Sequence, residues 1–148
     1  HDADANYRTL KQQDPTRIWD TTSGWFKKKE SDVESEHIYF KPVKYRPAER
    51  PTVLSEFGGY SCALEGHRFN PDEEYGYQKY PTVEDFQTAL LKLYREEVIP
   101  LVAKGLCASV YTQVSDVEDE TNGLVTYDRK VTKVNQEVMR KLAKKLKL

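Results

Sequence analysis

The run Pro51-Thr52-Val53-Leu54-Ser55-Glu56-Phe57 is apolar on both faces and is cut off by Gly58-Gly59. A strand apolar on both faces is buried on both faces, which is the condition of a parallel strand inside an α/β sheet. Its C-terminal end carries a carboxylate, and the glycines behind it let backbone and ligand approach closely. Open α/β sheets and barrels place their chemistry at that end of the strands. Glu56 is therefore the first candidate for function, weighed against a charged strand end that merely faces solvent.

The rest of the chain is arranged around this strand. Residues 2–13 read as a short exposed helix stopped before Asp14-Pro15, because the residue ahead of a proline avoids the helical region. A strand is expected over Arg17-Ile18-Trp19-Asp20-Thr21-Thr22, and another over Glu36-His37-Ile38-Tyr39-Phe40, closed by Pro42. Residues 60–81 show no helical period and read as a long loop, a kind that is usually functional. Thr82 is placed to cap a helix whose stripe is Val83, Phe86, Leu90, Tyr94, Val98 and Leu101, with Pro100 set to kink or end it. Leu106-Cys107-Ala108-Ser109-Val110-Tyr111 reads as a further buried strand. Val131, Val134, Val138, Leu142 and Leu146 define a final amphipathic helix with a lysine-rich outer face. This order predicts an α/β fold with right-handed crossovers. A complete (β/α)8 barrel takes about 250 residues, so one domain over residues 1–148 matches the second half of such a TIM barrel, a partial barrel with outer helices.

Composition narrows the partners. Twenty-three basic residues against 24 acidic ones leave a net charge of -1, with no field to attract nucleic acid. No stretch approaches the roughly 18 apolar residues of a membrane-spanning helix, and no signal pattern opens the chain. Cys62 and Cys107 form no CxxC pair and suit a reducing compartment. Ten Tyr, five Phe and two Trp form an aromatic set that fits either a wet sugar-binding surface or tyrosine-packed loops.

Several blocks together resemble glycoside hydrolase family 2, the β-galactosidase, β-glucuronidase and β-mannosidase group. They are Asp14-Pro-Thr-Arg17, Thr22-Ser-Gly-Trp25, His37-Ile-Tyr39, Val53-Leu-Ser-Glu56-Phe-Gly-Gly59, Gly66-His67 and Val110-Tyr-Thr-Gln-Val-Ser-Asp-Val-Glu118 running on to Asn122-Gly-Leu-Val-Thr-Tyr-Asp-Arg129. They follow the family's order and cover nearly the whole chain. The resemblance implies strands five to eight of a catalytic barrel, near residues 17–22, 36–40, 52–56 and 106–112. It implies a retaining β-glycosidase that cleaves β-linked carbohydrate without a cofactor, with Glu56 as nucleophile and Tyr39 orienting it. The family's acid/base is the glutamate of an Asn-Glu pair at the end of strand four. No Asn-Glu occurs in these residues, so the resemblance puts that group, with the N-terminal half of the barrel, ahead of His1 or on another chain.

Other residues have two readings each. His37 shares a strand face with Tyr39 and is either a sugar ligand or a structural histidine. Trp25, Tyr111 and Gln113 at strand ends either line the pocket or pack ordinarily, and His67 is a candidate for its rim. Asp116, Glu118, Glu120 and Asn122 alternate like calcium ligands, but Gly123 falls at the eighth position instead of the sixth, so a polar connection is expected and no metal. The lysine-rich helix is expected to be an outer barrel helix rather than a membrane or partner anchor. A non-catalytic carbohydrate-binding or scaffold domain is the alternative function. Half a barrel exposes two strand edges, near residues 17–22 and 106–112, so a homodimer through those edges is expected, with cover by the N-terminal helix and the 60–81 loop as the alternative.

Overall fold

The computed structural model describes residues 2–44 and 48–146. Helix α1 (Ala3–Gln13) is followed by strands β1 (Glu34–Ile38) and β2 (Thr52–Gly58) and the short strands β3 (Tyr60–Ser61) and β4 (Gln78–Lys79). Then come α2 (Val83–Lys92), a π-helical segment (Leu93–Val98), α3 (Ile99–Val102), β5 (Leu106–Thr112) and α4 (Gln136–Ala143), which ends in a 3₁₀ turn over Lys144–Leu146. The main sheet has three strands in the order β1-β2-β5, all parallel, and β3 pairs with β4. The protein is thus a mixed α/β fold. Among the described residues no helix is long and apolar enough to cross a membrane.

The central strand was legible because its composition demands burial. Leu54 and Phe57 are fully buried and meet Ile38, Leu106 and Tyr111 from the flanking strands. The helices supply Phe86, Leu90, Leu93, Tyr94, Val98 and Leu101, most of them the expected stripe. Phe57 meets Tyr94 and Tyr111 edge to face at 5.4 and 5.8 Å, a favoured arrangement of two rings. The Thr82 hydroxyl caps α2 by accepting from Asp85 N–H at 3.1 Å. Ahead of Pro100 the helix loosens into its π-helical segment and then closes with one more turn, a local answer to the amide that proline lacks.

Three expectations are corrected. No strand forms over residues 17–22: Trp19 N–H donates to Asp32 Oδ2 (2.9 Å) and Asp32 N–H to the Trp19 carbonyl (3.0 Å), so a local clasp takes the bonds a ladder would use. Strand β1 starts and ends two residues earlier than read, and leaves Tyr39 and Phe40 just beyond it. The last helix begins at Gln136, capped by Asn135, and leaves out Val131 and Val134. The segment before it folds back instead, with Lys133 N–H on the Leu124 carbonyl (2.8 Å) and Thr126 N–H on the Val131 carbonyl (2.9 Å).

The other face of the sheet is open. This also corrects the reading of residues 106–111 as a buried strand: Val53 is half-buried, its β5 neighbour Ala108 is exposed, and Val110 keeps 56% of its surface in solvent. Among the described residues β1 and β5 each pair only with β2, so both have a free edge.

Candidate active site

A bulge in β2 aims the key carboxylate. Against β1, the partners step from Glu36↔Leu54 to His37↔Glu56, and against β5 from Leu54↔Ser109 to Phe57↔Tyr111. One extra residue in β2 therefore lets Leu54 and Phe57 both face the helices, while Glu56 turns to the open side with 43% of its side chain exposed. Bulges re-aim side chains in this way, often beside functional sites.

Around Glu56 the structure assembles three of the other candidates. The Tyr39 hydroxyl donates to Glu56 Oε2 in a short hydrogen bond. His37 Nδ1 lies 3.7 Å from the same oxygen, beyond hydrogen-bond reach, and has no other partner. The His37 side chain is only 5% exposed, and its Nε2 meets Ser23 Oγ at 3.2 Å. Trp25 stands edge-on to His37 with centroids 5.8 Å apart and is tilted against Tyr39 at 6.4 Å. The turn carrying Trp25 can lie this close because Gly24, at φ +80°, has no Cβ; one would stand 2.2 Å from the His37 ring. Burial raises the Tyr39 hydroxyl well above the usual tyrosine range, and the Glu56 carboxylate adds to the rise. Tyr39 therefore stays a proton donor, and the carboxylate that accepts from it is fixed in orientation.

The other three candidates lie elsewhere. Tyr111 is in the hydrophobic core, its hydroxyl donating to the Tyr60 carbonyl at 3.4 Å and pushed up strongly by burial. The parity of β5 beside the bulge turns it to the helix side, so it does not line a pocket next to Glu56. Gln113 commits its amide N–H groups to Glu120 Oε2 (2.9 Å) and Asn122 Oδ1 (2.8 Å), bracing the loop after β5. His67 pairs through Nδ1 with Asp128 Oδ2 at 2.9 Å and joins the 60–81 loop to the 121–134 segment. That bond holds the Asp128 carboxyl far below the usual carboxylate range.

Tyr77 was missed. Its ring lies flat on Tyr39, centroids 4.0 Å apart and planes 8° apart. The only signal was the aromatic density of the 60–81 loop, which does not single out one tyrosine.

The acidic run after β5 holds an internal cation. Lys133 Nζ binds Asp116 Oδ1 at 2.8 Å and the Thr121 carbonyl at 2.9 Å, while Gly123 N–H donates to the same Asp116 oxygen at 2.8 Å. Among the described residues no group of three or more His, Cys, Asp or Glu side chains is placed to hold a metal ion. No protein-family model matches this chain, and no curated protein matches it.

Proposed function

We propose that this chain is part of the catalytic domain of a retaining β-glycosidase resembling glycoside hydrolase family 2, with Glu56 as its nucleophile. The observation that carries the reading is the Tyr39 hydroxyl on the Glu56 carboxylate, at the C-terminal end of the central parallel strand. In this reading Glu56 attacks the anomeric carbon of a β-linked sugar, the leaving oxygen takes a proton from a second carboxyl, and a covalent glycosyl-enzyme forms. Water then attacks the same carbon with that second carboxyl acting as base, and Glu56 departs. The geometry needs the second carboxyl about 5–5.5 Å from Glu56, and we assign it to residues outside this chain. Tyr39 keeps Glu56 aimed, and the exposed Trp25, backed by the nearly buried His37, forms the wall that meets the sugar.

The same reading makes β1, β2 and β5 the sixth to eighth strands of a (β/α)8 barrel, whose other half pairs with the free edges and covers the open face. Without that half, two copies associate through the same edges. The exposed Trp25, tilted against Tyr39, and the exposed Phe40, edge-on to Tyr77, also favour a second reading, a non-catalytic carbohydrate-binding domain. The deciding experiment compares the full-length protein with its Glu56→Gln variant on nitrophenyl β-glycosides. Loss of turnover with sugar affinity retained supports the enzyme. Sugar binding in both proteins with turnover in neither supports the binding domain.

A further inference from the structure

We infer that Tyr77 is a positioning residue that clamps Tyr39 and so fixes the geometry of the Tyr39–Glu56 pair. Its catalytic meaning rests on the glycosidase reading, but the clamp itself is a statement about structure. Tyr39 lies one residue beyond the end of β1. Tyr77 covers one face of the Tyr39 ring.

Two features show that Tyr77 is held in place for this. Its N–H donates to the Gly59 carbonyl at 3.1 Å, tying the returning loop to the Gly-Gly step that ends β2. Gly59 itself sits at φ +65°, and a Cβ there would stand 2.2 Å from the Tyr77 ring and 3.3 Å from Tyr39. The missing side chain is the slot into which the two rings fit. Phe40 and Tyr75 then meet Tyr77 edge-on at 4.8 and 5.7 Å. Tyr75 is anchored in turn, its N–H on the Asp119 carbonyl (2.7 Å) and its carbonyl accepting from Thr121 N–H (3.0 Å). The loop after β5 therefore braces Tyr75, Tyr75 braces Tyr77, and Tyr77 braces the donor to Glu56.

The test uses Tyr77→Leu and Tyr77→Phe in the full-length protein, with two readouts. The first is the downfield proton resonance of the Tyr39 hydroxyl, assigned with Tyr39→Phe, and its exchange with water. Tyr77→Leu is expected to speed exchange at least about tenfold or to abolish the signal, and Tyr77→Phe to preserve it. Unchanged exchange in Tyr77→Leu would overturn the clamp. The second readout is covalent labelling of Glu56 by 2-deoxy-2-fluoro β-glycosides. Here Tyr77→Leu is expected to lower the labelling rate at saturation about tenfold with the half-saturating concentration unmoved; a change in that concentration alone would make Tyr77 a binding residue instead. Should Tyr77→Leu fail to fold, Gly59→Ala keeps every ring while displacing Tyr77, and is expected to speed exchange in the same way. A wild-type protein that takes no label sinks the glycosidase reading and leaves the exchange measurement to decide the clamp. A labelled wild type with an unaltered Tyr77→Leu sinks the clamp alone.

Discussion

Lys133 and Asp116 form an ion pair at 2.8 Å with the lysine side chain wholly out of solvent and the aspartate almost so. Burial pushes the Asp116 carboxyl up, and Lys133 and the Gly123 amide pull against it. Removing one partner of such a pair strands a buried charge, at a cost of about 3–5 kcal/mol. Lys133→Met should therefore destabilise the fold by about that amount, measured as the shift in a urea unfolding midpoint. Adding Asp116→Asn should recover part of the loss, because it removes the stranded charge and keeps an acceptor for Gly123. A double variant less stable than Lys133→Met would contradict this account.

The turn under the histidine makes a second prediction. Gly24→Ala puts a methyl 2.2 Å from the His37 ring at a φ that side chains avoid. It should cost about 1–3 kcal/mol for the strained backbone and displace Trp25 from His37. The measurements are thermal unfolding and the fluorescence of the exposed indole. An unshifted emission maximum would show that Trp25 does not depend on this turn.

Alkaline pH gives a third. Burial raises Tyr60 and Tyr94 each to about 12, and lifts Tyr39 and Tyr111 higher than the usual tyrosine value of 10.0. A group whose folded value is raised stabilises the fold fully below its unfolded value and loses that contribution as the pH climbs to the folded one. Stability should thus fall between about pH 10 and 12, with these four phenols ionising only as the protein unfolds. Absorbance at the phenolate band should show them titrating together with the loss of circular dichroism. If all ten tyrosines ionise near pH 10 in a folded protein, the burial argument is wrong.

The free edges of β1 and β5 predict association. Unpaired parallel edges and an open apolar face recruit another chain. Residues 1–148 expressed alone should scatter light as a dimer at micromolar concentration and should not hydrolyse aryl β-glycosides. A monodisperse 17.2 kDa monomer that unfolds cooperatively would count against the half-barrel reading.

What could be read from the sequence follows from how local each cause is. Thr52 to Phe57 declared a buried strand through its own composition, and the Thr82 cap and the Phe86 to Leu101 stripe declared a helix in the same way. The resemblance implied Glu56 with Tyr39, and strand position offered His37 and Trp25; the structure sets the four side by side. The segment 17–22 misled because β-prone residues form a strand only where a neighbour offers a ladder, and Asp32 offers a clasp instead. Tyr111 misled because register shifts between β2 and β5, which nothing local to Tyr111 signals, change which residues share a face. Val131 and Val134 misled because the demand for an internal cation at Asp116, set from seventeen residues away, pulled Lys133 inward and outweighed helical period.

The central claim, that Glu56 is a glycosyl-accepting nucleophile, is tested most directly by mass spectrometry of the full-length protein after reaction with a panel of 2-deoxy-2-fluoro β-glycosides. The account predicts one added glycosyl unit per chain, mapped to the peptide containing Glu56 and absent from Glu56→Gln. A label on any other residue, or turnover that survives Glu56→Gln unchanged, would contradict it.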